Sequence, residues 1–209
     1  MPFRSDTYIR RAERDDLDVV VAWMQEPDFQ RFLYGDPVRS PKKMREQIVG
    51  MLGRTAGHAM PTAIYLMIDS KEDGSVGLLS VQNLSWRNRS CNVDLYIGEE
   101  KMRNRFTTAL AVTRSFEYCF HELNLHRVGA FIYAFNKPSW RLFERMGAVR
   151  ELTLRDHVAR DGKLHDMYGY GLLRHEFEAT LERYGRVADD FSLRAMIESL
   201  AKDGPGSEQ

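Results

Sequence analysis

The sequence is poor in cysteine and has no excess of charge of either sign. Its 209 residues include two cysteines, Cys91 and Cys119, and 30 basic side chains balance 30 acidic ones. Two cysteines are too few for a disulfide scaffold, so a reducing compartment, the cytoplasm, is expected. The neutral balance disfavours a protein that binds nucleic acid over a large surface, because such proteins carry a basic excess.

Long hydrophobic runs are also missing. The first residues, MPFRSDTYIRR, lack the apolar stretch of a signal peptide, and no apolar run elsewhere is long enough to span a bilayer. The histidines and cysteines show no ligand spacing, so we predict no metal site. What the sequence does contain is 43% hydrophobic residues and 11% aromatics, enough for the core of one domain.

The order of elements along the chain predicts a mixed α/β fold. A short strand is followed by two helices, three antiparallel strands, a long helix, a strand, a short helix and a final hairpin. Residues 127–134, RVGAFIYA, form the near-continuous apolar run of a central strand. We therefore divide the chain into an α/β domain at residues 1–175, a helical extension at 176–200 and a disordered tail at 201–209.

The most informative segment is residues 97–120, IGEEKMRNRFTTALAVTRSFEYCF, which predicts a strand end, a basic loop and a long amphipathic helix. A helix N-terminus offers unpaired N–H groups and positive partial charge to an anion. Arg103 and Arg105 add two cations, and Thr107 and Thr108 can cap the helix or donate hydroxyls. The arrangement suits a pyrophosphate, although the two arginines can also be ordinary solvated loop residues. The loop has no glycine, the residue that lets a backbone approach phosphate closely.

The element order, together with the segments RRAERDDLDVVVAWM, ELNLHRVGAFIYAFNKPSWRLFERMGAVRE and RDGKLHDMYGYGLL, resembles the GNAT superfamily of acyl-CoA-dependent N-acyltransferases over residues 8–175. The chain is most similar to the branch that acetylates ribosomal-protein N-termini, polyamines and small amines. The resemblance implies a mixed, mostly antiparallel sheet that splays between strands 4 and 5 and is flanked by helices. It also implies acetyl-CoA or another acyl-CoA as co-substrate and an amine of a small molecule or peptide as acceptor. A homodimer is considered as well.

The resemblance also implies where the donor binds. Its pantetheine arm would lie along Tyr96, Ile97 and Gly98, and Asn136 and Ser139 match positions near the thiol end. The pyrophosphate would bind the basic loop and the helix start. The side chains implied there are Arg103, Asn104, Arg105, Thr107 and Thr108. Asn136 is also placed to cap the helix that starts at Pro138, the role we favour for it.

The catalytic positions depart from the family pattern. Phe143 stands where many relatives carry a Tyr that protonates the leaving thiolate, and Phe has no proton to donate. We expect Ser139 or a water to replace it. Asn92 stands where relatives of this branch often have a Glu. Asp94 lies two residues along the same strand and points to the same face, so it is the candidate general base. An ion pair with an arginine or a solvent-facing edge position is the alternative for Asp94.

Three functions remain open on the sequence. The first is an acyltransferase that moves an acyl group from a CoA thioester to an amine. The second is an enzyme of the same fold whose donor is an acyl carrier protein or an aminoacyl-tRNA, because the glycine places of the loop hold Asn104, Phe106 and Thr108. The third is a non-catalytic binding module, as the joint loss of the glycines, the Tyr and the Glu would suggest.

Overall fold

One mixed sheet organises the chain, with its strands in the order β1-β2-β3-β4-β5-β7-β6. The computed structural model describes residues 7–33, 40–54, 60–98 and 105–184, apart from the side chains of 47, 51–54, 105–107 and 184. The strands are β1 (Thr7–Arg11), β2 (Ile64–Ser70), β3 (Gly74–Ser85), β4 (Ser90–Ile97), β5 (Arg127–Tyr133), β6 (Val149–Arg160) and β7 (Lys163–Leu173). The helices are α1 (Leu17–Met24), α2 (Pro27–Leu33), α3 (Pro41–Arg54), α4 (Arg105–Glu117), α5 (Lys137–Arg145) and α6 (Arg174–Tyr184).

The sheet opens between β4 and β5, which are its parallel pair. They are joined over three residue pairs, from Ser90 with Arg127 to Asn92 with Gly129, and then separate. A Cβ atom on Gly129 would lie 2.6 Å from Oδ1 of Asn92, so glycine lets the Asn92 amide lie against β5 at this junction. The predicted splay between strands 4 and 5 and the predicted mixed α/β fold are confirmed.

The two faces of the sheet carry separate cores because side chains alternate along each strand. On one face, α4, the π-helical turn that follows it and α6 pack through Phe116, Phe120 and Phe177, all of them buried. The ring of Phe177 lies 5.4 Å from that of Phe120, centroid to centroid, so α6 contributes to this core. On the other face, α1, α2 and α3 cover a smaller core that contains Trp23 and Tyr96.

The helices follow the sequence pattern with one correction. The sequence predicts two helices between the first two strands, but the described structure has three α-helices there. The additional one is α2, in which Pro27 takes the first position. The long helix α4 continues into a π-helical turn at Tyr118–Glu122. Among the described residues, no helix has both the length and the apolar character to cross a membrane. The predicted helical extension at residues 176–200 is described as far as residue 184, where α6 ends. Its remainder and the predicted tail at 201–209 lie outside the described residues.

The final hairpin forms as predicted. β6 and β7 pair from Arg160 with Lys163 back to Val149 with Gly171. Asp161 and Gly162 both have positive φ, 51° and 72°, which is the conformation of a tight two-residue hairpin turn. The RDG sequence at this turn explains why the strands reverse here, since glycine adopts positive φ without steric cost.

Candidate active site

The separation of β4 from β5 opens a cavity of about 330 Å³, which we call the cleft cavity. No strand of the described residues lies between residues 93–95 of β4 and residues 130–132 of β5, so alternate backbone N–H and C=O groups of both edges face the cavity. Much of the remaining wall is apolar and comes from α2, α4 and α5, including Leu33, Val112 and Leu142. An extended chain that carries amide groups fits such a slot by pairing with the strand edges.

Six of the predicted site residues line the cleft cavity. They are Asp94, Tyr96, Ile97, Thr108, Asn136 and Ser139. Thr108 lies within the first turn of α4, which begins at Arg105, so it does not cap that helix. Asn136 precedes α5, but its side chain makes no capping hydrogen bond, and its backbone carbonyl accepts the N–H of Trp140 at 3.3 Å instead. The cap predicted for the Asn136 side chain is therefore wrong.

Of the other residues predicted to contact the donor, only some belong to the part of the chain that the structure describes. Arg103 and Asn104 lie outside the described residues, and so do the side chains of Arg105 and Thr107. Gly98 is described, but it is not part of the cleft wall. A Cβ atom on Gly98 would come within 2.0 Å of Cε2 of Trp23, so the glycine makes room for this indole. Its contact with a donor stays a prediction.

Asp94 points from the middle of β4 to the face covered by α1, α2 and α3. Nε2 of Gln82 donates a hydrogen bond of 2.7 Å to Oδ2 of Asp94, and Oγ of Ser80 lies 3.4 Å from the same oxygen. Nε2 of Gln82 also lies 3.0 Å from Oγ of Ser80. Burial raises the pKa of the Asp94 carboxyl, and the hydrogen bond from Ser80 opposes this rise. These partners are neutral, unlike the arginine of the ion pair that the sequence left open.

Gln82 and Ser80 were missed by the sequence analysis. Both lie on β3, where Ser80 is the register partner of Asp94 and Gln82 that of Asn92. The sequence VGLLSVQNLS carries the signal that could have found them. Residues two positions apart in a strand share one face, so Ser80 and Gln82 lie together, and a buried face tolerates polar side chains only with partners.

A second cavity, also of about 330 Å³, lies between the sheet and the helices α1 to α3, and we call it the helix-side cavity. Leu33, Asp94 and Tyr96 line both cavities, so the two adjoin at these residues. The hydroxyl of Tyr96 donates to Oε2 of Glu26 at 2.7 Å, which fixes this ring in the shared wall. Asp94 therefore stands where groups bound in the two cavities would meet. The sequence analysis did not predict this second cavity.

Helix α2 covers both cavities. Phe32 and Leu33 line the cleft cavity, whereas Phe29 and Leu33 line the helix-side cavity. On the outer side of α2, Arg31 forms an ion pair of 3.3 Å with Asp161 in the turn of the β6–β7 hairpin. This ion pair connects α2 to the tip of the β6–β7 hairpin.

Hydroxyls in the cleft wall are the candidate proton donors, because Phe143 fills the place of the family Tyr. The Phe143 ring is buried and packs edge to face on Phe116, with centroids 5.2 Å apart. The lining hydroxyls belong to Tyr96, Thr108, Ser115 and Ser139. Tyr96 donates to Glu26, and Ser115 donates to the carbonyl of Ala111 at 2.7 Å. Ser139 and Thr108 are thus the hydroxyls better placed to serve a ligand.

Comparison with known proteins identifies N-acetyltransferases both among the relatives in sequence and among the similar structures. The N-acetyltransferase p20 of Bacillus licheniformis is 23% identical over 169 residues, which cover 81% of this chain and 93% of that protein. A Bacillus subtilis protein named as a ribosomal N-acetyltransferase, YdaF, is 35% identical over 107 residues, 51% of this chain and 58% of its own. The spermidine N-acetyltransferase of Vibrio cholerae, solved with CoA and spermine, superposes with a TM-score of 0.75 at 18% identity, covering 84% of this chain and 99% of that one.

The match to a family extends over most of the chain. The structural likeness just described shows the fold, in agreement with the splayed sheet. The family model for the acetyltransferase (GNAT) domain matches residues 6–149 and therefore includes α1 to α5, β1 to β5 and the wall of the cleft cavity. On this match, the chain is an enzyme that belongs to the GNAT acetyltransferase family.

Proposed function

We propose that this enzyme transfers an acetyl group from acetyl-CoA to the amine of a small molecule, with Asp94 as general base. The observation that carries the proposal is that Asp94 lines both cavities, one a slot with free strand edges and the other a chamber beneath helices. A carboxylate shared by two binding spaces can take a proton from a group in one while that group attacks a reactant in the other. The relatives reported above are named for N-acetyl transfer, which supports this assignment.

The donor would be held in the cleft cavity. The free strand edges at residues 93–95 and 130–132 would pair with its extended arm, and Asn136 would contact it near the thiol end. The first turn of α4 and Thr108 would face its phosphates, because helix N-termini bind anions. We keep Arg103, Asn104, Arg105 and Thr107 as proposed phosphate contacts. When bound, acetyl-CoA supplies an activated thioester.

The residues of the shared wall would then move protons. Asp94 would accept a proton from the ammonium group of the acceptor, directly or through a water. The neutral amine would attack the thioester carbonyl, so that the N–C bond forms and the C–S bond breaks. The proton that the new amide nitrogen loses would pass through Ser139 or a water to the departing thiolate. Holding both reactants at one carboxylate would supply much of the rate by proximity. The raised pKa of Asp94 favours this role, since a more basic carboxylate is a better proton acceptor.

The comparisons with known proteins do not support the other two functions considered from the sequence. Membership of an acetyltransferase family identifies the chain as an enzyme rather than a non-catalytic module. The relatives reported above give no support to an acyl carrier protein or an aminoacyl-tRNA as donor.

A homodimer remains a proposal. Phe131 on β5 and Leu152 on β6 flank Gly169 on one sheet face and are 48% and 40% exposed, which supports a contact there.

The proposal is tested by replacing Asp94 with Asn, which keeps the size of the side chain and removes its basicity. We expect the kcat/KM for acetyl transfer to a primary amine to fall by about 100-fold or more at neutral pH, the usual contribution of a general base. Thiol release from acetyl-CoA measures the rate. Asp15→Asn, at an exposed position, is the matched control and should leave the rate unchanged. Normal turnover in a folded Asp94→Asn enzyme would assign Asp94 a structural role.

A further inference from the structure

We infer that the acceptor is a monoamine with an apolar body, not a polyamine, and that it binds in the helix-side cavity with its amine at Asp94. The inference rests on the proposed function and specifies its substrate class. It is drawn from the distribution of charge and apolar surface around the helix-side cavity.

The long walls of this cavity are apolar. The apolar lining residues come from the end of β1, from the three covering helices and from β3, and they are Ala12, Leu17, Val20, Met24, Phe29, Leu33, Ile48 and Leu78. The polar side chains on the sheet floor gather around the carboxylate of Asp94, where Gln82 and Ser80 contact it. The other polar lining residues are Glu13, Asp16, Tyr65 and Tyr96. A ligand whose amine lies at Asp94 therefore meets hydrocarbon side chains along most of the wall formed by the helices.

The carboxylates of this cavity cannot serve several ammonium groups. Among the described residues that line it, the acids are Asp94, Asp16 and Glu13. Both oxygens of Asp16 already accept hydrogen bonds of 2.7 Å from Arg10, and Oδ2 also accepts the backbone N–H of Glu13 at 2.8 Å. The Glu13 side chain is exposed at the rim. Asp94 is the carboxylate inside the cavity whose charge has no cation beside it in the described structure.

Inside the cavity, away from Glu13 at the rim, a second ammonium group of a polyamine would lie against the apolar wall. The free energy lost when an ammonium group leaves water without a partner is far larger than the free energy gained from contact with hydrocarbon. An apolar body gains from the same wall, because each buried methylene improves binding by about fourfold. The cavity thus selects for one charge and a hydrocarbon tail.

The first experiment compares acceptors with the wild-type enzyme. We expect the kcat/KM for linear alkylamines to rise by roughly fourfold per methylene from propylamine until the cavity is full. The best alkylamine should exceed spermidine by at least tenfold. Acetyl transfer that prefers spermidine would overturn this inference and leave the proposed function standing. An enzyme that acetylates no amine of either class would overturn the proposed function and this inference with it.

The second experiment changes the wall. Ile48 lies on α3 and lines the cavity, whereas its neighbour Val49 is 42% exposed and does not. We expect Ile48→Glu to lower the kcat/KM for pentylamine by at least tenfold and to improve the ratio of diamine to monoamine. Val49→Glu, the matched control, should change neither. An unchanged acceptor preference in Ile48→Glu would overturn the inference.

A binding measurement covers the case in which Ile48→Glu does not fold. Ile48→Ala removes wall without adding charge, so pentylamine should bind more weakly to this variant in the presence of CoA, by at least threefold in calorimetry. Longer alkylamines should lose less affinity than shorter ones, because they can fill the added space. Equal binding of pentylamine by Ile48→Ala and the wild type would contradict a site at this wall.

Discussion

The carboxylate of Asp94 is positioned by two side chains of the neighbouring strand. Gln82 contributes the shorter hydrogen bond, 2.7 Å against 3.4 Å for Ser80. Hydrogen bonds of this kind stabilise the charged form of a carboxylate, whereas burial destabilises it. The two influences together set the pH at which Asp94 becomes a base, and burial is the larger one, since the pKa of Asp94 is raised.

Gln82→Leu tests this balance. The variant removes an N–H donor that favours the ionised form, so the pKa of Asp94 should rise further above the ordinary value of about 3.9. Because the proposed base must be ionised to accept a proton, the acidic limb of the pH profile of kcat/KM should move to higher pH, with the rate at high pH largely retained. The measurement is a pH–rate profile of thiol release.

Ser80→Ala provides a graded comparison for Gln82→Leu. Its longer hydrogen bond is the weaker one, so the acidic limb should move in the same direction by a smaller amount. An acidic limb that stays in place in Gln82→Leu would mean that Gln82 supports the strand without tuning the carboxylate.

At the scale of elements, α1 is joined to the end of β4 by a close contact. The indole of Trp23 occupies the space that a side chain at position 98 would need, and the N–H of Gly98 donates to the carbonyl of Val76 at 2.8 Å. Because Trp23 is buried, with 3% of its surface exposed, it has little room to move aside. The contact holds the helix that covers one cavity to the strand that borders both.

We therefore expect Gly98→Ala to lower the free energy of unfolding by about 1–3 kcal/mol, the usual cost of overpacking a core. Gly50→Ala is the matched control on α3, where a Cβ atom would meet nothing within 4 Å. That variant should gain roughly 0.5–1 kcal/mol, because alanine suits a helix better than glycine. Urea unfolding of both variants measures the difference, and a stable Gly98→Ala protein would show that α1 can shift on the sheet.

The elements were predictable wherever a local pattern determined them. The RDG turn located the last hairpin, and alternation along β4 placed Asp94 on the face of Asn92. Contacts made by strand register were not predictable, because which residue of β3 lies beside Asp94 depends on a pairing between distant segments. The missing side-chain cap of α5 was not predictable either, since Asn136 suits a cap by residue type but its side chain makes no capping hydrogen bond. The cleft itself was predictable by resemblance to the family.

At the scale of the whole molecule, Arg10 ties together segments that are distant in sequence. Its guanidinium contacts Asp16 at 2.7 Å just before α1, Asp69 at 2.6 Å on β2 and Ser75 at 3.3 Å on β3. Asp16 and Asp69 are buried, with 8% and 5% of their surfaces exposed. Two carboxylates in such surroundings require a counter-charge.

Arg10→Met should lower the free energy of unfolding at pH 7 by about 3 kcal/mol, since it leaves buried carboxylates unpaired. The hydrogen bond from Arg10 lowers the pKa of Asp16, so the stabilisation is present above the ordinary pKa of about 3.9 and is lost as pH falls through the lower folded value. The difference between wild type and variant should therefore shrink in strongly acidic solution.

Chemical unfolding at pH 7 and pH 3 measures this difference, with Arg14→Met at an exposed position as the control. A loss of stability that is the same at both pH values would attribute the effect of Arg10 to the packing of its side chain and not to its charge.

Helix α2 has seven residues and forms part of the wall of two binding spaces. A rigid body of this size cannot adjust its Phe32 side to one ligand without moving its Phe29 side, because Leu33 belongs to both walls. The two ligands are therefore linked thermodynamically through α2. If a ligand in the cleft cavity changes the affinity of the helix-side cavity by some factor, a ligand in the helix-side cavity changes the affinity of the cleft cavity by the same factor. The order in which the reactants bind does not alter this factor.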